Sequence, residues 1–228
     1  MAAEKTAPPY GQMEWEPIKP VVRKRLQACF DHAQKLLQAK GKIDHDYAHD
    51  MLSQCVKNDP GNMVYVEMML DNLQKKHNNN KKGSGSSGNR AAFKKAIKEN
   101  NWEEILKLGP ELLKSNPWDT ATLRPMADAA GVFGFNEVEL RYLKNALDAN
   151  LKDVDVNKHC AETLARVGQF DQAIACWRRI GERRGKGDTE VDNKISELTL
   201  RKTQVLTGLG DDDKATGRVV NENLAGKN

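Results

Sequence analysis

One stretch of this chain repeats itself at a fixed interval of 34 residues. The segment Asn100-Asn101-Trp102-Glu103-Glu104-Ile105 returns as Gly134-Phe135-Asn136-Glu137-Val138-Glu139, and again as Gly168-Gln169-Phe170-Asp171-Gln172-Ala173. Trp102, Asn136 and Phe170 hold one repeat position; Leu112, Ala146 and Ile180 hold another. A period of that length restricts the chain to stacked helical hairpins, because a single hairpin cannot bury its apolar face and must cover it with its neighbours. Arrays of this kind commonly bind other proteins and seldom catalyse. The expected product is therefore a binding protein and not an enzyme.

Composition agrees with that reading. Charged residues make up 30% of the 228 residues and aromatics only 6%, as suits a thin core spread along an axis. No stretch approaches the roughly 18 apolar residues of a membrane helix. Met1 to Pro20 carries acids and prolines and has no apolar leader core, so the expected compartment is cytoplasmic, with no membrane association. Lys and Arg number 36 against 32 for Asp and Glu. That excess is too mild to point to nucleic acid as the main partner. Cys29, Cys55, Cys160 and Cys176 form no CxxC pair and read as reduced, buried thiols.

Along the chain, 1–19 is expected to be an extended arm, docked on the first helix by Trp15 and Ile18. Residues 20–77 read as an N-terminal helical segment with one hairpin plus one helix. In the first helix, Val22, Leu26, Cys29, Phe30, Ala33, Leu36 and Leu37 recur at helical steps. In the second, the apolar side is expected to hold Tyr47, Ala48, Met51, Leu52, Cys55 and Val56. In the third, it is expected to hold Val64, Met68, Leu70 and Leu73. Residues 78–89, rich in Asn, Lys, Gly and Ser, form a flexible polar linker. Three hairpins follow over 90–187. A helix over 188–206, with Val191, Ile195, Leu198 and Val205 on one face, caps the array, and 207–228 is expected to be a disordered tail.

These hairpins resemble the tetratricopeptide repeat. Gly168-Gln169-Phe170-Asp171-Gln172-Ala173 with Trp177 lies close to that motif, and Tyr47-Ala48, Leu52, Cys55 and Asp59-Pro60 also match. The hairpin over 120–150 departs from it, with Glu139 where a small residue belongs and Leu151 where proline does. The whole is similar to bacterial tetratricopeptide proteins that share an Asp-Pro-Gly-Asn, an Asn-Asn-Asn-Lys-Lys and an Asn-Pro-Trp-Asp. The resemblance implies an all-α, right-handed helical solenoid of stacked antiparallel hairpins, about four plus a cap. It also implies a scaffold or adaptor whose first helices line a concave groove.

On those first helices, Arg90, Lys94, Lys98, Arg124, Lys158 and Arg166 lie away from the core, interrupted by Asp128 and Glu162. A basic groove of this kind would draw in a protein or peptide with acidic segments. The competing reading is a merely solvated helix face. No cofactor is expected, since no glycine-rich phosphate loop is present. His45 and His49, one helical turn apart, have a spacing that can grip zinc. They lack a third ligand, and Asp46 stands where the metalloprotease pattern wants Glu, so a structural role is expected and a metal site is the alternative. A further alternative is nucleic-acid binding through Lys75-Lys76, Lys81-Lys82 and the run from Arg178 to Lys186. No interleaved aromatics support it.

Overall fold

The computed structural model describes residues 10–81, 89–185 and 187–208. Over these the chain is all helix, with no strand among the described residues. The helices are α1 (Pro20–Gln38), α2 (His45–Asn58), α3 (Met63–Lys76), α4 (Arg90–Lys98), α5 (Trp102–Leu113), α6 (Thr120–Val132), α7 (Asn136–Ala149), α8 (Val154–Arg166), α9 (Phe170–Arg184) and α10 (Thr189–Thr207). The expected linker and tail fall largely on 82–88 and 209–228, outside the described residues.

Local chemistry sets the helix ends. Asp44, Asn62, Asn89, Asn101, Asp153 and Asp188 each stand at an N-cap, and each side chain accepts a hydrogen bond from a first-turn N–H. Proline opens α1, where its missing N–H costs nothing. The hairpin turns repeat with the sequence. Asn100, Gly134 and Gly168 take left-handed φ values of 52°, 73° and 79°. The next residue in each case donates its N–H back five residues: Asn101 to Ala96 O, Phe135 to Ala130 O, and Gln169 to Leu164 O, at 2.8–2.9 Å. This is the Schellman arrangement, used three times at the 34-residue period.

The repeats form the tetratricopeptide-like stack that the period implies. α4 pairs with α5, α6 with α7 and α8 with α9, each hairpin packs on the next, and α10 lies on α9. The core is a continuous row of buried side chains, including Phe93, Ile105, Leu112, Leu123, Met126, Tyr142, Ala146, Val156, Ala173, Trp177 and Ile180. Gly109 on α5 allows close contact with α6, since a Cβ there would lie 2.2 Å from Met126 Sδ.

The N-terminal helices do not simply extend this stack. α1 packs on α2 and α2 on α3, but α2 also packs against α5 and α3 against α7. They therefore brace the second helices of two successive hairpins. Polar contacts seal this seam. Arg141 on α7 is almost fully buried. It donates to Asp71 on α3 at 2.7 Å and also to Asn145. Asn145 in turn accepts from Gln74 and donates to Pro117 O. Lys57 pairs with Glu111 and Lys114 with Asp50.

Three expected core residues point outward instead. Tyr47 is exposed and stands edge-on to His32, Val64 is exposed, and so is Val205. Because α2 and α3 are covered by α5 and α7 as well as by one another, their buried faces rotate toward Ala48, His49 and Leu52, and toward Tyr65, Val66 and Met69. Helical spacing alone cannot identify the face that a distant element will cover.

Candidate interaction surface

The first helices α4, α6 and α8 carry the polar positions singled out from the sequence, and these fall into rows at the repeat period. The first row is Arg90, Arg124 and Lys158. Each cation reaches forward to an acid at the start of the next first helix. Arg90 meets Asp119 at 2.8 Å, Arg124 meets Asp155 at 3.1 Å, and Lys158 meets Glu190 at 3.0 Å. The row is a ladder of ties running from α4 through to α10. Arg184 also pairs with Glu190, and the two cations together hold that carboxyl below its usual range.

The second row, one turn further on, is Lys94, Asp128 and Glu162. The third is Lys98, Val132 and Arg166. Lys94, Lys98 and Glu162 are exposed, and Asp128 is half-buried with its carboxylate 3.6 Å from His159 Nδ1. The face is therefore divided in charge. Its α4 end presents exposed lysine ammonium groups, while its α6–α8 end gathers carboxylates.

At that second end lies a buried polar cluster. Glu139, on α7, has no exposed surface. Its carboxylate accepts from His159 Nε2 at 2.8 Å, from Thr163 Oγ1 at 2.6 Å and from the Arg166 guanidinium. A buried carboxylate is tolerable only when so fully hydrogen-bonded. Asn136 Oδ1 accepts from Arg166 as well, so the guanidinium is gripped on two sides.

The N-terminal arm lies across this cluster. Tyr10 packs against Gly131, where a Cβ would come 2.6 Å from the ring, and the Arg166 guanidinium lies over the ring at 4.0 Å from its centroid. Burial and the nearby carboxylates of Glu139, Asp128 and Glu162 push the Tyr10 phenol up. Gly11 donates its N–H to Gly131 O at 2.9 Å and Met13 to Val132 O at 3.2 Å. Trp15 then packs edge-on against Phe133 and donates from Nε1 to Asn58 O. The arm thus docks on the end of α6 and the α6–α7 turn. Sequence reading placed Trp15 on the first helix, because nothing in an aperiodic segment identifies its distant partner. Tyr10, His159 and Thr163 were not anticipated as a group. The one signal was Glu139, a charge at a position that the repeat reserves for a small side chain.

His45 and His49 are each engaged within the fold. His45 Nδ1 lies 2.7 Å from Asn72 Oδ1, and His49, fully buried, bonds through Nε2 to Ser53 at 3.0 Å. Burial pushes the His49 imidazole down to about 4. No group of three His, Cys, Asp or Glu side chains among the described residues is placed to hold a metal. The basic runs are partly tied up as well: Lys76 pairs with Asp46, Arg184 with Asp188 and Glu190, and Arg179 lies against Ala175 O and Cys176. Cys55, Cys160 and Cys176 are buried, Cys29 is half-buried, and all four are free thiols.

Among the described residues, no helix is long and apolar enough to cross a membrane. No family model matches the chain, and no curated protein matches it. Among solved structures it is similar to one described as the crystal structure of MamA protein. The two are 13% identical, the match covers 82% of this chain and 89% of that one, and the TM-score is 0.38.

Proposed function

We propose that this protein is a non-catalytic scaffold that binds an extended protein segment along the face of α4, α6 and α8. The observation that carries this reading is the division of labour among the repeat rows. The first row is spent on ties between hairpins, which makes the face rigid. The rows beside it leave Lys94, Lys98 and Glu162 open to solvent. Rigid backing with accessible charged side chains is what a preorganised binding face requires. The α4 end favours acidic side chains of the partner, through Lys94 and Lys98. Arg90, Arg124 and Lys158 contribute mainly by holding the face in shape.

A peptide array tests this. Acidic peptides are expected to bind more strongly than neutral or basic ones, with affinity falling as salt rises. The double variant Lys94→Glu/Lys98→Glu is expected to lose that preference. Equal binding by both forms, or tighter binding of labelled single-stranded RNA than of any peptide, would count against the reading.

A further inference from the structure

We infer that the Tyr10 segment is an exchangeable occupant of a second peptide subsite, and that the external partner is a protein segment presenting an aromatic residue followed by glycine. The inference rests on the scaffold reading and names a recognition element within it. The seat is built from groups that do not depend on the identity of the arm. Gly131 leaves the room that the ring occupies, and Arg166 supplies the lid. The lid is held in place by Asn136 and by the buried Glu139, which is itself held by His159 and Thr163. In the last turn of α6, Val132 O has no helical donor four residues on, and Gly131 O, which takes the Gly134 N–H at 3.0 Å, keeps a second lone pair for the arm. A segment that turns after its aromatic residue and presents N–H groups at alternate residues can use them, as Gly11 and Met13 do.

The sequence preference follows from the same contacts. Gly11 has φ +65°, a conformation that strongly favours glycine after the aromatic residue. The charges of Glu139, Asp128 and Glu162 lie near enough to raise the Tyr10 phenol, so an acidic side chain is repelled there and a neutral aromatic is accepted. This end of the face therefore selects against the charge that Lys94 and Lys98 select for. The arm is also lightly held. Residues 11–14 are exposed, and among the described residues 10–19 only Tyr10, Trp15 and Ile18 are partly covered. Segments with so few buried contacts open at low free-energy cost. Tethering gives the arm a high effective concentration, so an external segment competes with it rather than finding an empty seat.

The test uses a fluorescent peptide with the sequence of residues 8–18 and the full-length chain. Wild type is expected to bind it weakly. The arm-releasing variant Tyr10→Ala/Trp15→Ala is expected to bind it at least about tenfold more tightly, because the tethered competitor is gone. The same peptide with alanine in place of its tyrosine is expected not to bind. Adding Arg166→Ala, or the charge-preserving Arg166→Lys, to the arm-releasing variant is expected to return binding to the wild-type level, with circular dichroism melts confirming that both remain folded. Equal affinity of wild type and the arm-releasing variant would overturn the inference, as would binding indifferent to the peptide tyrosine or to both Arg166 changes. Wild type that dimerises only while its arm is intact would assign the seat to a second copy of the chain and overturn the partner assignment. If acidic peptides still bind through Lys94 and Lys98 while this test fails, only the subsite is lost; the opposite result removes the broader reading.

Discussion

Single residues in this protein show how one repeat position can be met by different chemistry. The turn position at 100, 134 and 168 requires a left-handed backbone, supplied by asparagine once and glycine twice. At Gly168 a Cβ would meet nothing within 4 Å, so Gly168→Ala tests the backbone alone. It is expected to cost about 1 kcal/mol, whereas Asn100→Gly is expected to be neutral or slightly stabilising; urea melts of the three forms decide this. His49 makes a different kind of statement. Its folded pKa of about 4 lies below the ordinary value of 6.5 because burial disfavours the charged ring. The unfolded chain therefore takes up the proton first as pH falls. The stability is present in full above 6.5 and is lost on the way down through 4. Between pH 7 and pH 5 the wild type is expected to lose about 1–2 kcal/mol more than His49→Gln. Parallel losses in the two proteins would show that the ring does not titrate this way.

At the scale of helices and hairpins, stability resides in two kinds of seam. Inside a hairpin the seam is apolar and tight. Ala173, fully buried where α8 and α9 meet beside Trp177, leaves no room for a larger side chain. Ala173→Leu is expected to cost on the order of 1–3 kcal/mol by overpacking, and an unchanged urea midpoint would contradict that packing. Between the N-terminal helices and the repeats the seam is polar. Arg141 is its centre, with Asp71 across the boundary and Asn145 on its own helix. Asp71 is about half exposed, so solvent screens part of the attraction. Arg141→Ala is expected to cost about 1–3 kcal/mol and to speed hydrogen exchange in α3 more than in α9. Equal acceleration in both helices would mean that Arg141 does not bridge the two parts.

For the molecule as a whole, the bracing of α2 on α5 and of α3 on α7 has a consequence for unfolding. A simple repeat array unfolds by fraying from its ends, since each repeat touches only its neighbours. Here α2 and α3 hold the second helices of two hairpins, so local opening at α5 or α7 must break both seams. A single transition is expected, the same by circular dichroism and by the fluorescence of tryptophans spread from Trp15 to Trp177. Two separated transitions would show that the N-terminal helices and the repeats unfold independently.

The period of 34 and the helical hairpins were legible in the sequence because they are local. They depend on helical spacing and on its repetition. Arg90, Arg124 and Lys158 were visible only as cations away from the core; their place in one ladder and their acidic partners were not. What required the tertiary structure depends on contacts between residues far apart in the chain. Tyr47 and Val64 have helical spacing that suits a core, yet they face solvent, because α5 and α7 cover the other sides of their helices. Glu139 was a departure from a pattern until His159, Thr163 and Arg166 came together around it. The arm had no periodicity to read, and only the folded chain decided that Tyr10 meets Gly131 and Arg166. Local propensity sets which elements form. Which surfaces meet is set by burying apolar area and satisfying polar groups over the whole molecule at once, and no short stretch of sequence records that balance.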